Sequence, residues 1–146
     1  ADAGPGFAVH ESSRGAAFGD LDNDGDIDVV IVNLDAVPTL LRNDGGNNRN
    51  WISVELRDSG ANDRAVGAAV WLSSGGGFRQ HRVVRAGTGY LSQDDMRLHF
   101  GLGASRLVER LEVRWPDGNR TSYRNLPANV FVQIDRLTGV KLAQTP

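Results

Sequence analysis

The chain has no cysteine, so disulfides and thiolate metal sites are both excluded, and the redox compartment stays open. Nowhere does an apolar run approach the roughly 18 residues of a membrane-spanning helix, and Ala1-Asp2-Ala3-Gly4 is not a signal peptide. A chain beginning without Met is expected to be a mature form or a fragment. No stretch offers an amphipathic helix of ten or more residues. There is no nucleophile elbow or phosphate loop, because the glycines after Ser74 lack a following Lys and helix. The three histidines, His10, His81 and His99, have no metal-ligand spacing. Only Lys141 is lysine among 16 basic residues, and the arginines interleave with apolar positions without clustering around aromatics. That argues against nucleic-acid binding.

What is present is acid, in one place. The formal charge of −2 divides unevenly: residues 1–50 carry nine acids against three Arg, and residues 51–146 carry nine acids against thirteen basic residues. Five of the acids fall in Asp20-Leu21-Asp22-Asn23-Asp24-Gly25-Asp26-Ile27-Asp28. Such carboxylates repel one another unless a cation lies between them. Ca²⁺ takes six to eight oxygens at about 2.3–2.6 Å, and Asp at the first, third, fifth and ninth positions with Gly at the sixth suits it. Side-chain oxygens are expected from Asp20, Asp22, Asp24 and Asp28, and a backbone carbonyl from Asp26. Gly25 permits the positive-φ turn over the ion. An EF-hand is excluded: its twelfth position needs Glu, and here it is Ile31. The flanks, Ala16-Ala17-Phe18-Gly19 and Val29-Val30-Ile31-Val32, read as strands, the second of them buried. The competing reading is an acidic, solvated turn.

Residues 1–13 read as an extended leading segment around Phe7-Ala8-Val9. A hairpin is expected over about 15–33, with Thr39–Asn43 supplying a third strand. Asn43–Asn50, turn-rich and without apolar residues, is the expected boundary between units 1–46 and 47–146. Beyond it the pattern is all-β. Ile52, Val54 and Leu56 alternate with Ser53, Glu55 and Arg57; Val66, Ala68, Val70 and Leu72 form a second row. Phe78–Arg85 reads as a strand. Leu111, Val113 and Trp115 form another inward row, Trp115-Pro116-Asp117-Gly118-Asn119 is a turn, Arg120–Arg124 returns, and Val130, Val132 and Ile134 line the last strand. Short strands between turns predict an antiparallel β-sandwich or small barrel, preceded by the calcium-loop hairpin.

Residues 86–103 break this regularity and end in a short strand. Tyr90, Ser92, Gln93 and Asp94 are candidate ligand-binding groups there; the alternative is a crossover whose polar side chains satisfy its own backbone. Asp94-Asp95 with His81 or His99 would be the only acid/base grouping, and adjacent carboxylates on a strand face opposite ways.

Two family resemblances cover most of the chain. Phe18-Gly19-Asp20 through Val32-Asn33 resembles the FG-GAP/VCBS repeat, which holds calcium in a DxDxDGxxD loop between two strands of a β-propeller. From about Asn50 to Ile134 the chain resembles the ASPIC/UnbV domain, through Val66-Gly67-Ala68, Gly89-Tyr90-Leu91-Ser92-Gln93, Leu98-His99-Phe100-Gly101-Leu102-Gly103 and Leu111-Glu112-Val113-Arg114-Trp115-Pro116-Asp117-Gly118. The resemblance implies a module that follows FG-GAP repeats in secreted and exported proteins. One calcium loop cannot close a propeller, so the chain is expected to belong to a longer one. The expected function is a non-enzymatic, calcium-binding module, extracellular or periplasmic, without membrane insertion, in adhesion or recognition of a protein or glycan. A structural cap or interface of a larger β-propeller protein, and an accessory or catalytic domain of an enzyme, are the alternatives.

Overall fold

The computed structural model describes residues 4–8 and 10–143. Regular structure is strand throughout, relieved only by single 3-10 turns among the described residues. The first of these, Pro5–Ala8, replaces the extended start expected there; proline's fixed φ suits the opening of a helical turn. Val9 lies outside the described residues.

Strands β1 (Ser13–Gly19), β2 (Asp28–Asn33) and β3 (Thr39–Leu41) form an antiparallel sheet in chain order. The closing pair of the first hairpin is Gly19↔Asp28, so both ends of the acidic loop are held by one register. Asn33 secures the next turn, donating to the Val37 carbonyl and to Thr39 Oγ1, both at 2.9 Å. One expectation fails here: Val29, Val30 and Ile31 are only half-buried, and Val32 is 52% exposed. Val32 belongs to a thin three-stranded sheet with no apolar layer over its side chain.

The remaining strands build two four-stranded sheets. One has the order β11-β10-β4-β7, from Gly139–Ala143, Val130–Asp135, Asn50–Arg57 and Leu98–Gly103. The other, β6-β5-β8-β9, is antiparallel, from Phe78–Val83, Ala69–Ser74, Leu107–Arg114 and Arg120–Pro127. They face each other as a sandwich, without closing into a barrel. The pairing of β10 with β4 is parallel, Val130↔Ile52 through Asp135↔Arg57, so the first sheet is mixed where an antiparallel one was expected. A parallel pair needs a long crossover, and the other sheet lies within it.

The inward rows meet in one cluster. Ile52, Val54, Leu56, Phe100, Val132 and Ile134 from the mixed sheet oppose Val70, Leu72, Val108, Leu111 and Val113, with Trp115 among them. Burying each large aliphatic side chain contributes about 1.5–3 kcal/mol. The Trp115 turn is as expected: Trp115 N–H donates to the Asn119 carbonyl, Gly118 N–H returns to Trp115, and Gly118 sits at φ +90°.

Candidate metal centre

Asp20, Asp22 and Asp28 each turn one carboxylate oxygen toward a common point, and these oxygens lie within 4.8 Å of one another. Ligands around a single Ca²⁺ at about 2.3–2.6 Å are separated by no more than about 5 Å, so three oxygens at this spacing can share an ion. The other oxygen on Asp20 is occupied, and on Asp28 both oxygens accept backbone N–H groups. Asp20 Oδ2 accepts the Gly25 N–H (3.0 Å), while Asp28 accepts Leu21 N–H (3.0 Å) and Asn43 N–H (2.9 Å). Asp20 Oδ1 is buried without a hydrogen-bond partner. A buried, unsatisfied carboxylate oxygen is costly, and a cation at that point would satisfy it. Burial pushes the Asp20 carboxyl above its ordinary range, against the Gly25 N–H and Arg97; Asp24 adds to the rise.

Asp24 and Asp26 fall outside that group of three. Asp24 Oδ1 accepts the Asp26 N–H (3.0 Å), and its carbonyl accepts Asn47 Nδ2 (3.0 Å). Asp26 Oδ2 accepts the Gly46 N–H (2.8 Å); its Oδ1 is buried and unpaired, and burial raises its pKa. Both shape the loop. Their contacts come from the stretch that reads as a linker, which folds across the loop and supplies three donors to it.

Two further side chains hold the loop against the sandwich. Gly25, at φ +97°, lies flat on the Trp51 indole: an added Cβ would fall 2.0 Å from Trp51 Cε2. Trp51 in turn stacks on His99 and meets Phe131 edge-on. Arg97 donates to the Asp20 carbonyl and to Asn23 Oδ1, both at 2.6 Å, pairs with Asp95 at 2.5 Å, and lies over the Phe131 ring. Motif spacing does not reveal Arg97, because it lies 77 residues from Asp20.

The candidate ligand-binding residues of the 86–97 segment are turned largely to backbone. Ser92 Oγ donates to the Tyr90 carbonyl, Gln93 binds Gly87, Arg85 and Asp94 main-chain groups, and Asp94 accepts the Phe18 N–H (3.0 Å). Tyr90 is 67% exposed. Asp95 N–H donates to the Phe18 carbonyl, so Asp94 and Asp95 together clamp the edge of β1. A cleft of about 420 Å³ brings Asp94, Asp95, His81 and His99 into one lining. Within it Asp94 serves Phe18 and Asp95 serves Arg97, while His81 stacks on Trp71 and His99 Nδ1 has no partner. No carboxylate is hydrogen-bonded to a histidine among the described residues.

Fold and loop together define an all-β module in which a carboxylate-lined hairpin is docked on a two-sheet sandwich. The chain belongs to the ASPIC and UnbV family, whose profile matches residues 58–141. It is also similar to cartilage acidic protein 1 of Homo sapiens, 31% identical over 124 residues, and to that of Mus musculus, 30% identical over 124 residues. Each alignment takes in 81% of this chain, so the likeness extends ahead of Asp58. The chain spans only 18% and 19% of the length of these relatives.

Proposed function

We propose that this chain is a non-enzymatic, calcium-stabilised module of a longer, exported protein, acting in adhesion or recognition of a protein or glycan. The observation that carries the metal reading is the buried, unpaired Oδ1 of Asp20 beside the converging oxygens of Asp20, Asp22 and Asp28. The metal is structural in this reading: it cancels carboxylate repulsion and closes the loop over Trp51. Asp24 and Asp26 join the site through the loop they brace. The DxDxDGxxD spacing between paired strands supports an FG-GAP/VCBS-type unit over 1–46, followed by the family domain over 47–146. The relatives' association with cartilage supports an extracellular or periplasmic setting. The commitment of Asp94 and Asp95 to backbone and Arg97 supports a non-catalytic role.

A second reading, a structural cap on a larger β assembly, is favoured by exposed apolar side chains on the N-terminal sheet, Phe18, Val32 and Leu40, and by Leu34 in the turn after β2. Further blades would cover them.

The test is thermal unfolding of the chain in chelator, in millimolar Ca²⁺ and in Mg²⁺. Binding only the native loop stabilises by about 2.7 kcal/mol at a free concentration one hundred times the dissociation constant. A rise in melting temperature specific to Ca²⁺ is expected. The same melting curve in all three conditions would sink the metal reading.

A further inference from the structure

The outer face of the β6-β5-β8-β9 sheet carries a concentration of cations that the loop chemistry does not use. The registers Trp71↔His81, Ser73↔Arg79, Ser73↔Arg110, Ala69↔Arg114, Arg110↔Arg124 and Arg114↔Arg120 place six basic side chains on one face. Among the paired positions the one carboxylate is Glu112, opposite Trp71; Glu109, exposed next to Arg110, lies toward the start of β8. The chain as a whole has a net charge of −2, so the face reflects segregation of charge, not a basic composition.

Glu112 is already satisfied. It pairs with Arg110 at 2.7 Å and with Arg120 more closely, and these contacts hold its pKa below the ordinary carboxylate value. Among the described residues no carboxylate pairs with Arg79, Arg114 or Arg124. Trp71 organises the centre: His81 stacks on it at 4.7 Å, and the guanidinium carbons of Arg114 and Arg120 stand 5.6 and 5.5 Å from its ring. The ring thereby restrains two flexible cations, which lowers the entropy lost when they engage a ligand. A shallow groove of about 300 Å³ runs beside it, lined by Trp71, Arg79, Arg110, Glu112 and Arg120.

We propose that this face binds a polysaccharide bearing sulfate or carboxylate groups. It deepens the recognition part of the function proposed above and rests on it. Guanidinium forks match the paired oxygens of such groups. Strands about 4.8 Å apart, with outward residues about 6.7 Å apart along each, set the arginines on a grid about 14 Å across that fits a repeating anionic chain. A protein partner would want apolar anchors at the centre of the contact; there Trp71 is covered by His81 and two guanidiniums, and the exposed Leu107 stands at the start of β8, away from that centre. Unpaired nucleic acid would want free aromatic faces for its bases; Trp71 is covered by His81 and two guanidiniums, and no second aromatic residue shares the face.

The experiment measures binding of the intact chain to immobilised dextran sulfate, with uncharged dextran as control, over a range of NaCl concentrations. Wild type is expected to bind dextran sulfate alone and to weaken as salt rises. The R79E/R124E double variant is expected to bind at least about tenfold more weakly, a loss corresponding to weakened charge-assisted contacts. Its melting temperature should stay unchanged, since neither arginine side chain has an ion-pair or hydrogen-bond partner among the described residues. Equal binding by the variant, or equal displacement of dextran sulfate by a single-stranded oligonucleotide of matched charge, would overturn the assignment. Calcium-dependent melting is read on the same samples. Dextran sulfate binding without a calcium shift keeps this face and removes the metal centre; a calcium shift without binding does the reverse.

Discussion

At Gly25 two constraints coincide, a left-handed φ of +97° and the Trp51 indole where a side chain would begin. Gly118 shares the first without the second, with φ +90° and nothing within 4 Å of an added Cβ. Gly118→Ala should therefore cost only backbone strain, about 1 kcal/mol. Gly25→Ala should cost at least about 2 kcal/mol more, because overpacking against a buried ring forces backbone movement. Urea unfolding midpoints compare the two; equal losses would mean that the loop does not rest on Trp51. His99 offers a second residue-scale prediction. Burial first, then the Arg82 and Arg97 charges, hold its pKa below 6.5. The native state therefore takes up this proton at lower pH than the unfolded chain. Its stabilising contribution is present above pH 6.5 and is lost as pH falls from there through the lower folded-state pKa. Melting temperature should drop more between about pH 8 and about pH 5 in wild type than in His99→Gln. Parallel pH profiles would remove His99 as the cause.

At the scale of elements, two stretches that read as linker and loop act as straps. Asn43–Asn47 covers the acidic loop, and 86–97 lies along β1, where the Tyr90 carbonyl would sit 2.6 Å from a Cβ at Gly15. Turn-rich composition shows that a segment is not a strand; it does not show which side chains its amides will serve. Arg97 ties the second strap to the first unit. In Arg97→Met the hydrogen bonds to Asp20 and Asn23 are lost, each worth about 1.5–3 kcal/mol when the donor is charged. Amide exchange at Asp95, whose N–H meets the Phe18 carbonyl, should accelerate, while core amides such as that of Val113 keep their protection. Unchanged exchange at Asp95 would show that the Arg97 contacts do not hold the strap.

For the whole molecule, the distribution of buried groups is decisive. Every buried apolar side chain among the described residues lies from Trp51 to Ile134, whereas the buried groups before Trp51 include Asp20, Asp26, Asp28 and Asn33. The sandwich has a core; the N-terminal sheet has a polar centre and borrows its apolar support from Trp51. A chain of residues 47–146 should accordingly unfold in one cooperative transition, with a lower midpoint than the full chain because Trp51 loses its cover. A non-cooperative melt would count against a division near residue 46.

The acidic spacing from Asp20 to Asp28, the alternation of Ile52, Val54 and Leu56, and the Trp115–Asn119 turn were all determined by sequence alone. Each depends on residues a few positions apart, where strand period and turn geometry act directly. Tertiary structure decided the rest. Parallel pairing of Val130 with Ile52, the reach of Arg97 to Asp20, and the exposure of Val32 depend on which distant strands meet. The gathering of Arg79, Arg114 and Arg124 onto one face has the same origin. Alternation assigns each arginine to a side of its own strand, and only the pairing of β6, β5, β8 and β9 adds those sides into a single charged surface.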